Sequence, residues 1–180
     1  MRILKENAVG LVIDIQERLF PHIDQYEQLE KNVQILINGL KALEVPVLVT
    51  EQYKKGLGET IDSIAQLVDG DWHAEKLAFS CCDEPKFAEE LEISKKRHVI
   101  IAGIESHICV LQTAIDLKER GFQPVVIEDC VGSRSDANKR NAMERLRQEG
   151  VIVSCYESIL FELCRYAGSE AFKTISKLVK

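Results

Sequence analysis

The chain lacks any apolar run long enough to cross a membrane. Its longest ones are broken by Asp14, Lys41, Glu44, Glu105 and Asp116, well short of the ~18 uninterrupted residues that a span requires. Positive charge is also in the minority: 23 Lys and Arg stand against 29 Asp and Glu, for a net charge of −6. Such a surface repels phosphate backbones and anionic lipid, so neither nucleic acid nor a membrane is expected as the main partner. Residues 1–10 show no apolar segment followed by a small-residue cleavage site, and a cytoplasmic location is therefore expected. The six cysteines, at 81, 82, 109, 130, 155 and 164, include no C-x-x-C pair and no paired His ligands. Zinc-ribbon and thioredoxin-like chemistry lack their signatures, and the cysteines read as free thiols.

Linkers, repeats and low-complexity tracts are absent as well. With 180 residues, 46% apolar and 29% charged, the chain reads as one globular domain, 1–180, able to bury a core without disulfides or a structural metal.

Short β-branched runs occupy 8–13, 45–49, 99–104 and 125–127, with weaker ones at 76–80 and 151–155. Such continuous apolar runs predict strands buried on both faces. Between them, helical spacing of apolar residues covers 26–44, 109–120 and 138–149, and a last helical stretch runs from 159 to about 178 with a pause near Gly168. Gly121 and Gly150 follow their helices as carboxyl caps. Repeated β/α alternation in a chain this short predicts an α/β fold: a three-layer α/β/α arrangement around an open parallel sheet of about six strands. A closed eight-stranded barrel would need roughly 250 residues.

Open parallel sheets hold ligands beyond the carboxyl ends of their strands, which directs attention to three residues. Asp14 follows the apolar run AVGLVI. It either caps the turn toward Gln16 and Glu17 or is a buried carboxylate that needs a partner. Cys109 lies just beyond VIIAGI and Glu105-Ser106-His107, in the expected first turn of a helix. It is either a small core residue or a thiol whose pKa the helix terminus lowers toward thiolate, with backbone amides nearby to hold an oxyanion. Lys76 opens the expected strand 76–80. It is either an exposed edge cation or the counter-charge for the other two. His107, two residues from Cys109, would point away from it on a helix. Gln16, Phe20, Tyr53 and Ser80 are candidate pocket walls by location. The segment 52–60, QYKKGLGET, lacks the third glycine of a dinucleotide fingerprint and reads as a mobile loop whose Lys54 and Lys55 are solvated or attract an anion.

V-I-D-I-Q at 12–16, K-L-A-F-S at 76–80 and G-I-E-S-H-I-C-V at 103–110 together resemble the isochorismatase-like cysteine hydrolases. T-E-Q-Y-K-K-G-L-G at 50–58 is most similar to the branch holding the isochorismatase domain-containing proteins and YcaC-related hydrolases. The resemblance implies a sheet of order 3-2-1-4-5-6 and a catalytic triad of Asp14, Lys76 and Cys109. It also implies a cis peptide between Ile104 and Glu105, oxyanion donors at the amides of Glu105 and Cys109, and a homo-oligomer. Family nicotinamidases hold a metal between strands 2 and 3. Here that interval offers only His73, so neither metal nor another cofactor is expected.

The implied reaction is hydrolysis of a small amide through a thioester acyl-enzyme. Two other readings compete: a catalytically inactive oligomeric scaffold on the same fold, and a redox sensor using Cys81, Cys82 or Cys109. A carboxylate, an ammonium and a thiol at three distant positions favour the enzyme. The apolar stretch 158–166 exceeds what one packed helix face needs and suggests either a subunit interface or a helix tucked over the last strand. One geometric expectation follows from the implied strand order. Asp14 and Lys76 would stand two strands apart, ~9.6 Å at the backbone, whereas a lysine stem reaches roughly 6 Å. Strand 2 should therefore end near Thr50 and let the ammonium pass.

Overall fold

The apolar run AVGLVI forms β1 (Ala8–Ile13), and all of its residues are buried, as a strand covered on both faces requires. In the computed structural model, which describes residues 1–68 and 73–180, five further strands join it in parallel: β2 (Val47–Gln52), β3 (His73–Lys76), β4 (His98–Ile104), β5 (Gln123–Gly132) and β6 (Ile152–Ser154). Their order is β3-β2-β1-β4-β5-β6, so the fold is the six-stranded α/β/α sandwich expected. Helices α1 (Tyr26–Ala42), α2 (Lys54–Leu57), α3 (Asp62–Ala65), α4 (Pro85–Ser94), α5 (Leu111–Glu119), α6 (Asp136–Gln148), α7 (Tyr156–Cys164) and α8 (Glu170–Leu178) make the connections and the outer layers.

Alternation along β1 divides the core in two. Ala8 and Val12 pack with Val33, Leu36, Ile37 and Leu40 of α1 and with Ile159 and Leu160 of α7. Val9, Leu11 and Ile13 pack on the other face with Ala114 and Leu117 of α5 and Met143 and Leu146 of α6. A period of two places alternate side chains in opposite layers.

Several expectations need correction. β2 starts two residues later than expected and runs on to Gln52, so it does not stop at Thr50. β3 ends at Lys76 rather than starting there. The run Leu77-Ala78-Phe79 is not a buried strand, and Leu77 and Phe79 are largely exposed. The carbonyls of Ala78 and Phe79 instead turn back onto the Lys76 ammonium, which takes them out of any sheet ladder. Helix α4 was not anticipated, although Pro85 at its start and Phe87 and Leu91 one turn apart on its buried side are its sequence signal. Most of the apolar tail is covered within the chain. Ile159, Leu160 and Leu163 belong to the core, and Phe161 packs on Phe172 of α8 at 6.1 Å, while Tyr166 stays exposed.

Glycine is required at position 103, where φ is +131° and β4 lies against β1. A Cβ there would overlap the backbone carbonyl and nitrogen of Ile13. Gly103→Ala is expected to destabilise the protein by more than about 3 kcal/mol. Gly121→Ala, also at positive φ but with nothing within 4 Å of the added carbon, should cost only about 1 to 2 kcal/mol. Urea denaturation of both variants measures the contrast.

Candidate active site

β1 delivers Asp14 to the carboxyl edge of the sheet with a left-handed backbone, φ +54°. That conformation is uncommon for a residue with a Cβ. Two bonds hold it there: the Asp14 N–H donates to the Thr50 carbonyl at 3.0 Å, and the Gln16 N–H donates to the Asp14 carbonyl at 2.8 Å. The carboxylate is fully buried. Lys76, also buried, donates from Nζ to Asp14 Oδ2 at 2.7 Å and to Gln52 Oε1 at 2.7 Å, and reaches the carbonyls of Phe79 at 3.1 Å and Ala78 at 3.3 Å. The Thr50 hydroxyl donates to Asp14 Oδ1 at 2.9 Å. An ion pair this dry is tolerable only when its remaining donors and acceptors are satisfied, and here they are.

The lysine crosses to Asp14 without any break in β2. Lys76 stands level with Gln52 in the register, and Thr50 stands level with Ile13. Thr50 and Gln52, two residues apart, share one face of β2. The lysine crosses that face, and its ammonium is bonded at once to the Gln52 side-chain carbonyl and to Asp14, with Thr50 bonding the other carboxylate oxygen. Glu51, on the opposite face, accepts instead from the amide and hydroxyl of Thr60 at 2.7 and 2.9 Å.

Cys109 approaches the pair from β4. The Ile104–Glu105 peptide is cis, and the next residues form a π turn, Ser106–Val110, before α5 begins. Ile108 and Val110 both donate to the Glu105 carbonyl, at 3.0 and 3.2 Å. The buried Cys109 thiol lies within electrostatic reach of both the Asp14 carboxylate and the Lys76 ammonium. All three predicted residues therefore meet in one dry spot.

Their charge states differ from the expected ones. Burial, and then the neighbouring Asp14 charge, push the Cys109 thiol well above its ordinary pKa, and Lys76 only partly opposes this. These effects run against the helix-stabilised thiolate that was expected and favour a protonated thiol beside Asp14. Burial also raises the Asp14 pKa, against the lowering effects of Lys76, Cys109 and Thr50, which makes it a stronger base than a solvated carboxylate. Burial opposes the charge on Lys76 most strongly, but Asp14 together with the Cys81 and Cys109 sulfurs outweighs it, and the ammonium is held above the ordinary lysine range.

Around this centre, Glu105 turns its buried carboxylate onto Arg134, accepting from the backbone N–H and from Nε at 3.1 Å. His107 bonds through Nδ1 to the Ser133 hydroxyl at 2.9 Å and is engaged away from the sulfur. Of the four candidate pocket walls, three have side chains engaged by partners within the fold. Gln16 is fully buried, with its amide bonded to the Gln52 backbone and the Gly58 carbonyl. Phe20 packs edge-on against Tyr26, and the Ser80 hydroxyl donates to Asp116. Only Tyr53 is exposed, beside Lys76, whose carbonyl accepts its N–H at 2.9 Å.

The segment 52–60 is not a free loop. Gln16 grips Gly58, the amides of Glu17 and Arg18 bond the carbonyls of Glu59 and Leu57, and Arg18 Nη1 bonds Gly56. Lys54 pairs with Glu51 at 3.3 Å and Glu59 at 3.1 Å rather than standing open to an anion. Among the described residues, no three His, Cys, Asp or Glu side chains stand close enough to share a metal ion. Thr50, Gln52 and Arg134 escaped the sequence reading. The first two carried a usable signal, because T-E-Q follows the apolar run of β2 just as Asp14 follows that of β1.

Comparison with known proteins agrees with this architecture. The sequence signature of the Isochorismatase domain matches residues 8–158. The chain is 35% identical to mouse isochorismatase domain-containing protein 2A over 180 residues, covering 99% of this chain and 85% of that one. It superposes with a TM-score of 0.93 on a solved structure described as MAR1 ribonuclease from Caenorhabditis elegans, at 34% identity and covering 99% and 92% of the two chains. It superposes equally well, 0.93, on the Escherichia coli YcaC product, an octameric hydrolase of unknown specificity, at 21% identity and covering 99% and 90%.

Lys76→Met should strand the Asp14 charge without its ammonium. The loss expected is about 3 kcal/mol near neutral pH. In this variant the folded-state pKa of Asp14 lies above its unfolded value. The folded form therefore binds the extra proton, and stability must fall as pH rises between those two values. Urea melts at about pH 5 and about pH 7.5 should show the deficit shrinking at the lower pH, and Asp14→Asn combined with Lys76→Met should abolish that pH dependence.

Proposed function

The chain belongs to the isochorismatase family, and on that premise we propose that it is a cysteine hydrolase cleaving the C–N bond of a small amide-type substrate. The observation that carries the reading is a buried carboxylate hydrogen-bonded to an ammonium, with a buried thiol within electrostatic reach of both. Asp14 removes the Cys109 proton, and the thiolate adds to the carbonyl carbon. The resulting oxyanion is held by the amides of Glu105 and Cys109. Asp14 returns the proton to the departing amine as the C–N bond breaks, leaving a thioester on Cys109. It then takes a proton from water as the hydroxide adds to the thioester carbonyl; the C–S bond breaks to release the carboxylic acid, and Asp14 hands its proton back to the Cys109 thiolate. One carboxylate thus alternates between base and acid. Lys76 stays charged throughout and keeps the thiolate and Asp14 from repelling each other without compensation.

A thiol nucleophile suits an acyl centre and has no evident task in cleaving a vinyl ether, which weighs against isochorismate. The net charge of −6 opposes the approach of a polyanion, which weighs against an RNA substrate of the kind suggested by the description of the worm relative. Retention of all three charged or nucleophilic groups in a dry site weighs against an inactive scaffold. We also propose that the protein self-associates, as the YcaC relative does. Tyr53, Leu77 and Phe79 are exposed beside the site, and light scattering should return a mass above that of one chain, with a monomer refuting the assembly.

A panel of small primary amides and amidated heterocycles, assayed by ammonia release, tests the chemistry. At least one should turn over, and Cys109→Ala should lower the rate at least about 10³-fold. Turnover that survives the substitution would remove the thiol from the mechanism.

A further inference from the structure

Thr50 makes two separate bonds to one residue. Its carbonyl accepts the Asp14 N–H at 3.0 Å, and its hydroxyl donates to Asp14 Oδ1 at 2.9 Å. The side chain is fully buried, so no water competes for the hydroxyl. A second group fixes which way that hydroxyl points. The Cys81 thiol, itself buried, donates to Thr50 Oγ1 at 3.7 Å, within the range of a sulfur donor. A hydroxyl has one proton and two lone pairs. With the thiol occupying a lone pair, the proton is left for the carboxylate. The chain Cys81 to Thr50 to Asp14 therefore runs in one direction, with each group donating to the next.

The two oxygens of Asp14 are thereby held by different groups, Oδ2 by the Lys76 ammonium and Oδ1 by Thr50. This has two consequences. Both oxygens are anchored, so the carboxyl plane cannot turn about its bond to Cβ, and the Cys109 proton meets an acceptor of fixed orientation. In addition, a donor that cannot reverse its direction favours the ionised carboxyl over the protonated one, which offsets part of the cost of burying that charge. Lys76 supplies the charge balance. The hydroxyl adds direction without adding charge, and so keeps Asp14 ionised while leaving it basic enough to accept a proton.

We propose that Thr50, oriented by Cys81, is a positioning residue that holds Asp14 ionised and correctly turned to deprotonate Cys109. The proposal rests on the thiol–carboxylate pair of the preceding section. Thr50 itself touches neither Cys109 nor the substrate in this role.

The test needs no substrate. The rate at which iodoacetamide alkylates Cys109, followed by peptide mapping across pH, rises as Asp14 becomes competent to take the thiol proton. In Thr50→Val, which keeps the shape and β-branching but removes the hydroxyl, the acid limb of that profile should move up by about one pH unit or more, as expected for losing a hydrogen bond to a charged group. Thr50→Ser should restore the wild-type limb. Cys81→Ala, which frees the hydroxyl to turn, should shift it in the same direction by less, and this variant keeps the proposal falsifiable if Thr50→Val does not fold. Once a substrate is found, Thr50→Val should lower kcat with KM little changed. Folded Thr50→Val with a wild-type limb, Thr50→Ser behaving like Thr50→Val, or Cys81→Ala indistinguishable from wild type would each overturn the proposal. Failure of the underlying reading looks different: Asp14→Asn would then alkylate at Cys109 as fast as the wild type, with the same pH dependence.

Discussion

A charge pair taken out of water, Lys76 with Asp14 at 2.7 Å, constrains everything near the carboxyl edge of this sheet. Burying two ions costs several kcal/mol each unless their hydrogen-bonding capacity is filled, and the local structure follows from filling it. Thr50 and Gln52 stand on the crossing face of β2 because the lysine must be fed as it passes over them. Residues 77–79 bend back because the ammonium needs carbonyls. Asp14 takes a left-handed backbone, and its carboxyl meets the lysine arriving from two strands away.

The same dryness decides the chemistry. A thiol placed in this setting is neutral at rest, because burial and an adjacent carboxylate both oppose the thiolate. The attacking anion must be made when it is needed, by a base whose own affinity for protons burial has raised. This state also weighs against the redox reading. Oxidant-sensing cysteines are accessible thiolates, whereas Cys81, Cys82 and Cys109 are buried, and the first two thiols are pushed up to about 11 and about 12, chiefly by burial.

How far the site could be read in advance depended on whether a residue announced itself locally. Asp14 did, as a single carboxylate closing an apolar run. Cys109 did through its place after β4. Gly103 and the Glu105 segment were marked by motif. Thr50 and Gln52 did not, because a threonine and a glutamine at a strand end are unremarkable until an ammonium crosses above them. Arg134 is distant in sequence and joins only because β5 lies beside β4. Leu77 and Phe79 misled in the opposite sense. Their apolar, β-prone character implied a strand, but the carbonyls they would have used in a ladder, or those of their neighbours, were claimed by Lys76.

The order of apolar runs and helical periods by itself determined a parallel α/β sandwich, since continuous runs must be covered on both faces and short β/α crossovers have one hand. It also marked a carboxylate, an ammonium and a thiol as the chemically interesting groups. Tertiary structure alone decided how they meet: by a lysine laid across an intact β2, over a threonine and a glutamine, onto a carboxylate with a buried thiol close by. Side-chain reach, burial and protonation arise from groups brought together across 62 residues of chain between Asp14 and Lys76, and no local pattern encodes such a sum of fields and contacts.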